Sequence, residues 1–174
     1  MIRPARAEDA AGIAHVYVAS WRSTYPGMIP QSYLDTLQEA PTAARWSEWL
    51  GRPTGSRPTF VTEDDGRLTG FASGGPEREG DARYRGELYA IYLLEAWQGR
   101  GLGRRLLHAV AHALAEHGMP SMLVWVLREN RAARAFYERL GGVYLREHLL
   151  DFGMGFDVPE VSYGWDDVRS GLPA

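Results

Sequence analysis

Apolar and polar positions along this chain recur with two periods, and the switches between them mark its elements. Ile2 to Ala5 has the length of a short strand. Glu8 or Asp9 opens a helix through Trp21, with Ala11, Ala14, His15, Val18 and Trp21 or Arg22 at helical spacing. Pro26-Gly27 interrupts it, and Gln31 to Leu37 and Pro41 to Leu50 read as two short helices; Pro41 is acceptable in a first turn. Thr59 to Glu63 and Leu68 to Ser73 are strands joined at Asp65-Gly66, a hairpin dipeptide. Glu87 to Leu93 is a further strand, and Leu102 to His117 the main helix. Ser121 to Leu127 is almost continuously apolar, as expected of a strand covered on both faces. A helix starts at Asn130, and Val143 to Leu150 with Val158 to Gly164 forms a closing antiparallel pair. Gly51 to Pro58 and Gly74 to Gly86 are rich in Gly, Pro and charge and read as surface loops.

The order strand, helix, strand from Glu87 to Leu127 is a βαβ unit, so those two strands should be parallel. The remainder predicts an α/β fold with a mixed, mostly antiparallel sheet and helices on its faces. At 174 residues, 45% apolar and 24% charged, residues 1–174 are expected to be one globular domain. A net charge of −3 argues against a nucleic-acid partner. No cysteine is present, so there is no disulfide, thiolate nucleophile or thiolate metal site, which suits a reducing cytoplasm. The first residues lack an apolar signal-peptide core, and no apolar run is long enough to span a bilayer.

The chemistry concentrates between Glu87 and Leu107, where a strand passes through a glycine-rich turn into a helix. Glycines let a ligand approach backbone N–H groups, and a helix N-terminus supplies unpaired N–H groups with partial positive charge. Together they make a cradle for phosphate or pyrophosphate, with Arg100, Arg104 and Arg105 adding formal charge. No Gly-Lys-Ser/Thr triplet follows, and Gly99-x-Gly101-x-Gly103 breaks the dinucleotide spacing Gly-x-Gly-x-x-Gly. The run Gln98-Gly-Arg-Gly101-Leu-Gly103 instead resembles the Gln/Arg-x-x-Gly-x-Gly/Ala signature of the GNAT superfamily of acyl-CoA-dependent N-acetyltransferases. Asn130-x-x-Ala133-x-x-Phe136-Tyr137-x-x-x-Gly141 resembles a second motif of that superfamily, at the expected place. Ala133, Phe136, Tyr137 and Leu140 lie on one helical stripe, Asn130 is a good N-cap and Gly141 a natural stop.

The resemblance covers nearly the whole chain and implies a GNAT fold in which the two parallel strands splay and the pantetheine arm enters the gap. It implies acetyl-CoA as co-substrate, held by Gln98, Gly99, Arg100, Gly101, Leu102, Gly103, Arg104 and Asn130. A bulge in the Glu87 to Leu93 strand would free backbone groups of Ile91, Tyr92 and Leu93 for the pantetheine amides. The resemblance also implies a primary amine of a small molecule or peptide as the acceptor, and it brings the expectation of a homodimer through closing-strand exchange or sheet pairing at Val158 to Tyr163.

An ammonium with a pKa near 10.4 must lose a proton before it attacks. Glu87 is the candidate base: it shares an extended face with Tyr89, Ile91 and Leu93, and apolar surroundings raise a carboxyl pKa. It also matches a strand glutamate with that role in several GNAT enzymes; the plain alternative is a solvated acid at a strand start. Tyr137 is the candidate acid for the leaving thiolate, by its match to the family tyrosine, against a plain core aromatic. His108 and His112 are four apart on a helix, but the Glu of a metal motif is replaced by Ala109, and both are expected on a solvated face; no metal is expected. Trp21, Tyr25, Tyr33, Trp46 and Trp49 either wall an acceptor cleft or pack the helices on the sheet. Asp35, Glu48 and Asp81 are candidates to attract a cationic amine. A non-catalytic acyl-CoA-binding module and a nucleotide-phosphate binder remain as alternatives, because fold alone does not separate enzyme from binder.

Overall fold

A computed structural model describes residues 1–52, 55–153 and 155–173. Seven strands form one sheet in the order β1-β2-β3-β4-β5-β7-β6. They are β1 Ile2–Pro4, β2 Thr59–Asp64, β3 Arg67–Pro76, β4 Gly86–Leu93, β5 Met122–Leu127, β6 Val143–Asp151 and β7 Asp157–Trp165. The helices are α1 Ala10–Thr24, α2 Gln31–Leu34, α3 Glu39–Leu50, α4 Leu102–Glu116, α5 Arg131–Arg139 and α6 Val168–Gly171. β4 and β5 are parallel, as the βαβ order requires, and the other neighbouring strands are antiparallel. No described helix is long and apolar enough to cross a membrane.

The hairpin at Asp65-Gly66 forms as expected, with φ of 45° and 75° giving the left-handed pair that a tight turn needs. The second loop expectation is corrected: Gly74 to Pro76 belong to β3, paired with Glu87–Leu88 and Gly86 of β4. Small residues fit there because Val110 of α4 and Tyr89 of β4 lie where side chains at Gly74 and Gly75 would stand. Pro53 and Thr54 of the Gly51 to Pro58 loop lie outside the described residues. The α1 stripe keeps Ala14 and Val18 of the expected set and differs from it elsewhere. Ile13, Ala14, Val16 and Val18 are buried, while Ala11 and His15 face out.

Helices cover both faces of the sheet. α4 and α5 pack Leu106, Leu107, Val110, Leu114 and Tyr137 on Leu88, Met122, Val124, Val161, Tyr163 and Trp165. On the other face, α1 and α3 bring Ile13, Val16, Trp46 and Leu50 onto Val61, Phe71 and Tyr92. Val18, Ile29 and Leu34 meet Leu127 and Val158 at the far end of that layer. β7 is bonded to β5 on one side and β6 on the other, so Val158 to Tyr163 offer no free edge for the expected sheet pairing with a second copy. The free edge on that side belongs to β6.

Two irregularities open the sheet at its centre. β4 and β5 keep register over only three pairs, Gly86–Leu88 with Met122–Val124. Beyond them the parallel strands diverge. β4 also carries a bulge: Ser73 pairs with Ala90 and Gly74 with Leu88, which leaves Tyr89 as the extra residue. The bulge lies two residues before the expected stretch Ile91 to Leu93, and it resets the alternation. Ile91 and Leu93 therefore turn with Leu88 toward α4, whereas Ala90 and Tyr92 turn toward α1 and α3. The expected common face of Glu87, Tyr89, Ile91 and Leu93 does not exist.

Candidate active site

A cavity of about 920 Å³ runs through this opening. On the α4–α5 side it is lined by the glycine-rich loop, Asn130, Phe136 and Tyr137; on the α1 side by Tyr17, Trp21, Tyr25, Tyr33 and the acids Glu79, Glu87 and Glu160. A passage through a sheet is what two reactants need to approach one point from opposite faces.

Local sequence builds the first side. After β4, Glu95–Trp97 makes a single 3-10 turn, and Gly99 and Gly101 take φ of 72° and 76°. Gly101 is the N-cap of α4 and offers no side chain, so the first-turn amides of the helix keep their outward capacity. Gln98 donates from Nε2 to the Leu93 carbonyl at 3.2 Å, and the Ser20 hydroxyl donates to the same oxygen at 3.3 Å, tying loop and α1 to the end of β4. Asn130 caps α5 by accepting from the Ala133 N–H at 3.1 Å. Gly141, at φ 79°, and Gly142 close α5, with Gly142 donating to the Tyr137 carbonyl at 2.9 Å.

Of the residues expected to hold the acyl carrier, Ile91, Tyr92, Leu93, Gln98, Gly99, Gly101, Gly103, Arg104 and Asn130 line the cavity. Arg100 and Leu102 do not; the Arg100 guanidinium lies over the Trp97 ring at 4.7 Å. Tyr137 lines it too, and burial pushes its phenol above the ordinary tyrosine value, so it is a neutral donor.

Glu87 is buried at 1% exposure, but not among apolar groups alone. Both carboxylate oxygens accept from the Arg78 guanidinium, and one also accepts from the Arg78 backbone N–H at 3.2 Å. The expected apolar setting is corrected accordingly. Arg78 in turn lies over the Tyr89 ring at 4.4 Å. Asp35, Glu48 and Asp81 do not line the cavity; Asp81 accepts from Arg146 at 2.6 Å. Trp21, Tyr25 and Tyr33 wall the cavity, whereas Trp46 packs edge-on against Phe71 and Trp49 against Tyr89, so both expected uses of the aromatic cap occur. His112 is exposed, as expected, but His108 is half-buried with its Nε2 enclosed. Among the described residues no His, Asp and Glu cluster has a metal-binding arrangement.

A second acidic group was not legible as a motif. Glu160 on β7 lines the cavity, and burial raises its carboxyl above the ordinary value although His148 pulls it back. His148 Nε2 is 3.4 Å from Glu160, its Nδ1 is 3.6 Å from Glu79, and its ring stacks on Trp125 at 3.8 Å and 10°. The available signal was the parity of Val158, Glu160 and Ser162, which puts a carboxylate in an inward register.

Comparison with known proteins agrees with this geometry. The model of the acetyltransferase (GNAT) family matches residues 13–142. The uncharacterized N-acetyltransferase YuaI of Bacillus subtilis is 39% identical over 170 residues, 97% of this chain and 94% of that protein. The L-amino acid N-acyltransferase MnaT of Escherichia coli is 30% identical, covering 82% of this chain and 78% of its own. The fold is similar to that of the PaiA N-acetyltransferase of Thermoplasma acidophilum in complex with coenzyme A, with a TM-score of 0.75, 20% identity and coverage of 95% and 98% of the two chains.

Proposed function

This chain belongs to the acetyltransferase (GNAT) family, and we propose that it moves an acetyl group from acetyl-CoA to a primary amine by direct attack, with both substrates held at once. The observation that carries this is the three-pair register of β4 and β5, which turns the centre of the sheet into a passage. The residues present suit the carrier. Side-chain-free, left-handed Gly99 and Gly101 and the uncapped start of α4 suit a pyrophosphate. β4 beyond Leu88 has no strand partner on its β5 side, so its backbone is available to pantetheine amides.

Each end of the passage has its task. Tyr137 supplies a proton to the departing thiolate, since a phenol held neutral is a hydrogen-bond donor. Glu87, locked to Arg78, fixes the charge of the opposite wall and orients what enters there. The absence of cysteine leaves no acyl-thioester enzyme route, which favours direct attack. The acceptor is a small-molecule or peptide amine; the activity in the name of MnaT favours the former. A cytoplasmic setting belongs to the same proposal.

Calorimetric titration with acetyl-CoA, with ATP as control, followed by an amine panel, tests it. Selective CoA binding and turnover of a primary amine are expected. CoA affinity without turnover on any amine would make this a binding module, and ATP binding without CoA binding would overturn the proposal.

A further inference from the structure

Resting on the transfer reaction above, we propose that Glu160 is the proton acceptor for the attacking ammonium, and that His148 and Glu79 pass the proton on to solvent. Glu87 is poorly placed for that task because both its oxygens already accept from Arg78. A carboxylate whose lone pairs are filled by a guanidinium is a weak acceptor for a further proton. Glu160 has no such partner. Among the described residues its side-chain hydrogen-bond partner is His148, whose Nε2 approaches to 3.4 Å, and its side chain, 15% exposed, opens on the cavity.

The rest of the line has the form of a relay. A neutral imidazole accepts at one nitrogen and donates at the other. His148 presents Nε2 to Glu160 and Nδ1 to Glu79 at 3.6 Å, and the flat stack on Trp125 fixes its ring plane. Glu79 is 44% exposed, so a proton reaching it meets solvent. Arg146, over the Trp125 ring at 5.2 Å and 3.8 Å from Glu79, holds the outer end. The groups facing Glu160 are His148 from β6, Arg78 and Glu79 from the β3–β4 connection, and Tyr25 from the end of α1. Burial raising the Glu160 carboxyl suits a base that must take a proton near neutral pH.

The protons balance. The ammonium gives one proton to Glu160 and becomes a nucleophile. Its lone pair forms the C–N bond as the C–S bond breaks, and Tyr137 gives its phenolic proton to the thiolate. The second nitrogen proton restores Tyr137, and the first leaves through His148 and Glu79. The net change is one amide, one thiol and one proton released.

The test is the pH dependence of kcat/KM for wild type, Glu160→Gln, Glu160→Asp and His148→Gln. Two acceptors are compared, a primary alkylamine and an acyl hydrazide, whose amine is already neutral at pH 7. With the alkylamine, the wild-type rate should rise with pH as Glu160 loses its proton. Glu160→Gln should remove that limb and cost about 10²–10³-fold, with CoA affinity by calorimetry unchanged. Glu160→Asp should restore the limb, His148→Gln should displace it, and the hydrazide should lose under about tenfold in Glu160→Gln. An active wild type with a Glu160→Gln variant that keeps its rate and limb, or loses equally on both acceptors, overturns this assignment alone. A wild type inert toward both acceptors overturns the transfer reading together with it.

Discussion

Glu87 and Arg78 illustrate how little a residue type says before its neighbour is known. The pair is asymmetric: Glu87 is buried, while the Arg78 side chain is 62% exposed. Removing Arg78 leaves a buried carboxylate unpaired; removing the Glu87 charge leaves an arginine that can reach water. Arg78→Met is therefore expected to destabilise by about 1–3 kcal/mol, and Glu87→Gln by less, as measured by urea unfolding. Equal losses would mean that the pair is held by something other than the burial of Glu87. Tyr137→Phe removes only a hydroxyl, so stability and CoA affinity should hold while kcat falls by about 10²-fold. An unchanged kcat would take the thiolate role away from Tyr137. The sequence singled out Tyr137 as the candidate acid from a helix stripe that depends on local spacing, and the residue lines the cavity. It placed Glu87 among apolar groups because Arg78 joins it across the β3–β4 connection, and no local pattern encodes that approach.

At the scale of elements, the glycine-rich turn and α4 act as one device. Gly101 caps the helix at φ 76°, and among the described residues no group outside its own chain neighbours comes within 4 Å of where a side chain would start. The space exists, so a substitution acts through backbone strain and through whatever it places over the helix amides. Gly101→Glu sets a carboxylate at the positive end of α4. Calorimetry should then show CoA binding lost, with the fold weakened by about 1–2 kcal/mol. Retained affinity would remove the loop from the carrier site. Helix and strand identities were legible across the chain because period and turn chemistry are local. The position of the β4 bulge was not, since it arises from pairing with β3, and its displacement to Tyr89 reversed which residues face which layer.

For the molecule as a whole, the sheet is divided where β4 and β5 part, and a ligand in that gap touches both halves. Binding there should stabilise the entire fold. Acetyl-CoA at 100 times its Kd is expected to add about 2.7 kcal/mol, or about 5–10 °C in Tm for a domain of this size; scanning calorimetry reads it, and an unmoved Tm would argue against a carrier in the gap. A homodimer built by sheet continuation would use β6 rather than Val158 to Tyr163, and a single-chain mass by sedimentation would remove it. The sequence by itself determined the order of the elements, the parallel β4–α4–β5 unit, the phosphate-type cradle and the α5 motif, because each rests on spacing within a few residues. Only the tertiary structure decided where the strands part, that Arg78 occupies Glu87, and that Glu79, His148 and Glu160 meet beside Trp125. Those groups come from residues 79 to 160 and are brought together by strand order, which no local periodicity records.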